Sequence, residues 1–173
     1  MNRPSTSTLT VLTLLVLTLL PVPMLAQAPS DSVNDRVEIQ EKLLYAYAYA
    51  YDSKDCVSFS NLFTTDAVLE VGGKAVGKDA ILKGCIARQK NVVGNIKTRH
   101  NMMNIVFDRL TAGRAETRAY VLLTWQKPGD QNPSVQFAAT YRDVIVKSDE
   151  GRWLFKERKA IDMSSAGTAD LPQ

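Results

Sequence analysis

Apolar positions change their period once along this chain, near residue 95. Before that point, Val33, Val37, Leu44, Ala48 and Tyr51 recur at helical spacing and predict a long helix over Ser32 to Tyr51. Ser32 followed by Asp35 supplies its start. The run from Tyr45 to Tyr51 also alternates Tyr with Ala, a strand pattern, but the flanking Glu, Lys, Leu and Ala favour helix. Val57 to Phe63 reads as a short second helix or turn. Ala67 to Val71 reads as a short strand closed by Gly72 and Gly73, and Asp79 to Lys90 as a third helix entered through Gly77. After residue 95 the pattern is of strands: Thr98 to Asp108, Arg114 to Gln126, Val135 to Ser148 and Trp153 to Asp162. Ala112-Gly113, Pro128-Gly129-Asp130 and Asp149-Glu150-Gly151 mark the turns between them. Three helices and a short strand, then long antiparallel hairpins, predict an α+β domain whose sheet buries one face under the helices.

The N-terminus reads differently. Leu9 to Leu20 is apolar except for Thr10, Thr13 and Thr18, Pro21 and Pro23 break the run, and Ala26-Gln27-Ala28 forms a small-residue cleavage box. Residues 1–28 are therefore expected to be an export signal, with an uncleaved anchor as the other reading. Residues 29–163 form one domain, and the tail at 164–173 is expected to be mobile. Export implies a periplasmic or secreted protein. Charge adds little: 21 Lys and Arg against 18 Asp and Glu give +3, too weak an excess to suggest a nucleic-acid partner. Cys56 and Cys85 are the only cysteines. In an oxidising compartment they can bridge, or they can stand as two separate small residues. No C-x-x-C and no zinc-ligand spacing occurs, so no metal is expected. The absence of a Walker motif, of G-x-G-x-x-G and of G-x-S-x-G removes support for nucleotide binding and for a serine hydrolase.

Few residues are left to carry chemistry. Asp52 ends the long helix, where the negative end of the macrodipole and nearby Asp55 are expected to raise its pKa and suit it to proton transfer. A solvated turn residue is the bland alternative. His100 is the one histidine. On a strand, His100, Met102, Asn104 and Val106 share a face and could line a half-polar pocket, although a surface histidine at a strand end reads equally well. Tyr47 precedes Asp52 by five positions, about 140° around an ideal helix, so the two do not share a face there. Arg158, in Lys-Glu-Arg-Lys, is either a solvated edge residue or a guanidinium that holds an anion or a departing oxygen. Trp153 reads as a core anchor.

Taken in order, several pieces resemble the SnoaL-like branch of the nuclear transport factor 2-like superfamily, which includes scytalone dehydratase, bile acid 7α-dehydratase and a dehydrochlorinase. They are Tyr47-Ala-Tyr-Ala-Tyr-Asp52-Ser-Lys-Asp55, Leu62-Phe63-Thr-Thr-Asp66-Ala67, Gly77, His100-Asn-Met-Met-Asn104-Ile, Tyr141-Arg-Asp143 and Gly151-Arg-Trp153-Leu-Phe-Lys-Glu-Arg158. The resemblance implies a cone: a curved, mostly antiparallel sheet wrapped around the long N-terminal helix, with two shorter helices. It implies an Asp–His pair made by Asp52 and His100, assisted by Tyr47 and Arg158, in a cofactor-independent lyase or isomerase of the dehydratase type. The substrate is expected to be a small apolar ring compound against Met102, Asn104, Val106, Leu122 and Phe137. One histidine, where scytalone dehydratase has two, points away from a scytalone-like substrate. The same fold also serves as a non-catalytic binding or dimerisation module, and the resemblance implies a homodimer or higher homo-oligomer.

Overall fold

A computed structural model describes residues 32–162. The leader and its cleavage box, and the tail beyond Asp162, lie outside the described residues. The helical layer opens with α1 (Ser32–Ile39), a wider π-helical turn (Gln40–Tyr45) and α2 (Ala46–Asp52), then α3 (Cys56–Ser60). β1 (Phe63–Glu70) and β2 (Lys74–Val76) follow, with α4 (Lys78–Arg88) and a second π-type turn (Gln89–Val93) after them. Four long strands complete the chain: β3 (Lys97–Leu110), β4 (Arg114–Gln126), β5 (Ser134–Lys147) and β6 (Trp153–Asp162). Among the described residues no helix is long and apolar enough to cross a membrane.

The six strands form one curved, unclosed sheet in the order β2-β1-β6-β5-β4-β3. Neighbours run antiparallel except β1 and β6, which are parallel. This is the expected α+β architecture. The strands alternate as a half-covered sheet must: Ala115, Thr117, Ala119, Val121 and Leu123 of β4 are buried, and the residues between them are half-buried.

The first helix departs from its expected face. Val33 and Val37 are 66% and 48% exposed, while Asp35, Ile39, Leu43 and Leu44 are buried. The π turn accounts for this, because its extra residue shifts the phase of everything before it relative to α2. Asp35 is buried because it accepts from Trp153 Nε1 at 3.1 Å and Lys147 Nζ at 3.0 Å, which ties α1 to β5 and β6. Trp153 is thus an anchor with a polar handle.

Below α2 the core is aromatic. The Tyr47 ring lies 4.8 Å from Phe59, 5.9 Å from Tyr141 and 5.8 Å from Phe155, centroid to centroid. Cys56 and Cys85 are joined in a disulfide that ties α3 to α4. Asp55 does not crowd Asp52 as a like charge; it caps α3, accepting from Ser58 N at 2.9 Å. Gly77 caps α4 at φ 87°, a backbone conformation that side-chain-bearing residues rarely adopt.

Candidate active site

α2 ends against the beginning of β3, and the last helical side chain meets the sheet there. Asp52 accepts three hydrogen bonds: from the Thr98 hydroxyl at 2.7 Å, from the His100 backbone N–H at 2.8 Å, and from His100 Nδ1 at 2.8 Å. The two side chains are 9% and 5% exposed. Thr98 and His100 can both reach Asp52 because alternate strand residues share a face.

This arrangement reverses the expected pKa of Asp52. Burial raises it, but the His100 ring, the His100 backbone N–H and the Thr98 hydroxyl together hold it below the ordinary carboxylate value. Asp52 is therefore a charged acceptor rather than a proton-hungry base. Because Nδ1 donates to it, Nε2 is the imidazole nitrogen that is free to accept a proton.

The His100 ring forms part of the wall of a cavity of about 440 Å³. The helices contribute Tyr47, Tyr51, Phe59, Ile81, Cys85 and Arg88. The sheet contributes Leu123, Trp125, Gln136, Phe137 and Tyr141, and the β1–β2 turn contributes Leu69, Val71, Gly72, Gly73, Lys74 and Ala75. Tyr51 and Tyr47 flank the imidazole edge-on, with centroids at 5.0 and 6.0 Å. Burial raises the pKa of all three lining tyrosines, Tyr47, Tyr51 and Tyr141, so their hydroxyls stay protonated and able to donate. Among the described residues Trp125 Nε1 is buried without a hydrogen-bond partner, and the Tyr141 hydroxyl has the Tyr47 hydroxyl beside it. A second recess of about 790 Å³ lies on the other side of the pair, between α2 and β3, and both Asp52 and His100 border it.

The structure thus brings Asp52, His100, Tyr47 and Phe137 to one place. Met102 faces the second recess instead, and three further expected residues stand apart. Asn104 is exposed, at φ 52°, where β3 slips register against β4 between Met103 and Val106. After this bulge the alternation inverts, so Val106 pairs with Arg118 and is 38% exposed while Ile105 and Phe107 turn to the core. Leu122 pairs with Asn101; its neighbour Leu123 pairs with His100 and takes the place on the cavity wall.

Arg158 is buried completely, but behind the cavity rather than in its wall. Its Nε and Nη2 each bond an oxygen of Asp143 at 2.8 Å, and Thr117 also donates to Asp143 at 3.1 Å. The guanidinium carbon lies 4.2, 4.4 and 4.1 Å from the ring centroids of Tyr47, Tyr141 and Phe155. It touches the site only through Tyr47 and Tyr141, which it underlies. Tyr51, Arg88, Trp125 and Tyr141 were not singled out by sequence. Tyr51 reads only as part of the helical spacing, Tyr141 only as part of the Tyr141-Arg-Asp143 piece, and α4 offers no mark at Arg88. Among the described residues no group of three or more His, Cys, Asp and Glu is placed to hold a metal ion.

Residues 31–159 match the family model of the SnoaL-like domain. Solved structures with the same fold include ActVI-ORFA from Streptomyces coelicolor, 16% identical over 78% of this chain and 99% of that one, with a TM-score of 0.70. A proposed scytalone dehydratase from Novosphingobium aromaticivorans is 24% identical over 77% of this chain and 87% of that one, with a TM-score of 0.64. A proposed aromatic ring hydroxylase from the same organism is 24% identical over 76% and 90%, with a TM-score of 0.63. No protein of curated function matches the sequence.

Proposed function

The chain belongs to the SnoaL-like domain family, and from that premise we propose that it is a lyase or isomerase of the dehydratase type that needs no cofactor and acts on a small apolar ring compound. The observation that carries this reading is the buried Asp52–His100 pair at 2.8 Å in the wall of a cavity of about 440 Å³. Such a volume suits a small-molecule site. The ring of a substrate packs among Phe59, Leu123 and Phe137. His100 Nε2 removes a proton from carbon beside an activating carbonyl, and the electron pair moves onto the carbonyl oxygen. Asp52 keeps Nδ1 protonated and stabilises the imidazolium that forms. The enolate oxygen is met by a protonated tyrosine hydroxyl, from Tyr47 or Tyr141. In a dehydratase the enolate then expels a β-hydroxyl, which leaves as water with the imidazolium proton. In an isomerase the proton returns to a different carbon. Arg158 serves here as a positioning residue beneath Tyr47 and Tyr141. The Cys56–Cys85 disulfide and the leader-like N-terminus support action outside the reducing cytoplasm.

A panel of cyclic ketones and β-hydroxyketones in deuterated water tests the reading by NMR. The wild type is expected to exchange or eliminate at the carbon beside the carbonyl, and Asp52→Asn and His100→Gln to lose this while staying folded. Binding with no turnover or exchange would leave the non-catalytic binding module of the same fold, and activity retained in both variants would refute the assignment of the chemistry to Asp52 and His100.

A further inference from the structure

Resting on the reading of this cavity as the substrate site, we propose that the substrate is a ring compound bearing a carboxylate, and that Arg88 is the residue that selects for it. Arg88 closes α4 and lines the cavity. Its Nε donates to the Tyr51 hydroxyl at 2.8 Å, which holds the side chain against the cavity wall. Among the described residues it has no carboxylate partner. Its two terminal nitrogens therefore remain as a planar fork, the donor geometry that matches a carboxylate.

The rest of the lining agrees in sign. Among the described residues no acidic side chain is part of the wall: Asp52 lies behind His100 and borders only the second recess. The charged groups that do line the cavity are Lys74 and Arg88. Lys74 is held by Glu70 at 2.9 Å, which leaves Arg88 as the stronger attractor. A cleft with apolar walls and cations of one sign concentrates anions.

Geometry also limits where on the substrate the chemistry falls. Arg88 grips the hydroxyl end of Tyr51, and the Tyr51 ring lies 5.0 Å from the imidazole. A carboxylate on Arg88 is thus separated from His100 by the phenol ring. The proton taken by Nε2 comes from the ring system, not from the carbon that carries the carboxylate. The buried donor Trp125 Nε1, unpartnered among the described residues, then suits an oxygen elsewhere on the ring.

Calorimetric titration with 2-naphthoate and with its neutral isostere 2-naphthamide tests this without any turnover. The acid is expected to bind the wild type at least about tenfold tighter than the amide. Arg88→Gln is expected to bring the ratio near one, with Arg88→Lys restoring part of it. His100→Gln is expected to leave the ratio intact, so the anion site stands or falls separately from the catalytic reading. Equal affinity in the wild type, a ratio that survives Arg88→Gln, or no binding of either compound would overturn the proposal.

Discussion

Replacing Asp52 by Asn tests how the site assigns the imidazole proton. In the wild type Asp52 Oδ1 accepts from Thr98 and from His100 Nδ1, and Oδ2 accepts from the His100 backbone N–H. A hydrogen bond from a neutral ring to a buried carboxylate contributes about 1.5–3 kcal/mol. At about 1.4 kcal/mol per tenfold, that favours the Nδ1–H tautomer about 10- to 150-fold over the form with Nε2–H. Asparagine has the same shape but one acceptor oxygen. The backbone N–H can only donate, so the amide oxygen must face it; the opposite placement leaves a buried donor unpaired, at about 1–3 kcal/mol. The amide NH2 then lands on Nδ1, which must become the acceptor, and the proton moves to Nε2. The proposed base is lost with almost no change of volume. Long-range proton–nitrogen NMR on untagged protein reads this directly, because His100 is the sole histidine. With the ring neutral, the wild type is expected to show Nδ1–H and the variant Nε2–H. A wild-type ring protonated at Nε2, or a variant with an unchanged tautomer, would refute the reasoning.

Three further outcomes are expected. Asp143→Ala leaves the fully buried Arg158 guanidinium unpaired and should cost about 3–5 kcal/mol in denaturant unfolding; the double variant Asp143→Leu/Arg158→Met should recover most of it. Opening the Cys56–Cys85 bond, which closes a separation of 29 residues, should cost about 3.5 kcal/mol by chain entropy, visible as a lower urea midpoint under reductant. The folded-state pKa of Asp52 is depressed, so its contribution to stability is complete above the unfolded value, about 3.9, and is lost as pH falls through the lower folded value. The stability gap between wild type and Asp52→Asn should therefore narrow from pH 6 to pH 3, whereas a constant gap would mean that the carboxylate holds no charge-dependent bonds.

The period change near residue 95 and the run of turn signals made the α+β sheet legible, because alternation in β4 and the hairpin glycines are local properties. What failed was longer in range. The macrodipole argument for Asp52 saw only its own helix, while the donors that lower its pKa come from β3, 46 and 48 residues away. Leu122 and Leu123 are both apolar, so alternation could not choose which one faces His100; the pairing of β3 with β4 did. The positive φ at Asn104 breaks the face that His100 begins, and an asparagine within a strand gives little warning of it. The charged run around Arg158 left a solvated edge and an anion-holding guanidinium both open, because its neighbours in the sheet, β1 and β5, come from two distant parts of the chain.

That same parallel pairing sets a timetable for the nascent polypeptide. β6, the last made of the six described strands, lies between β1, the first, and β5. Until its ten residues have left the ribosome, the earlier strands stand as two unjoined pieces, and Phe63 lacks the neighbour it pairs with in Phe155. Until β6 is made, the hollow that faces His100 therefore lacks the Arg158 guanidinium beneath Tyr47 and Tyr141, and β1 has no strand to join it to β5.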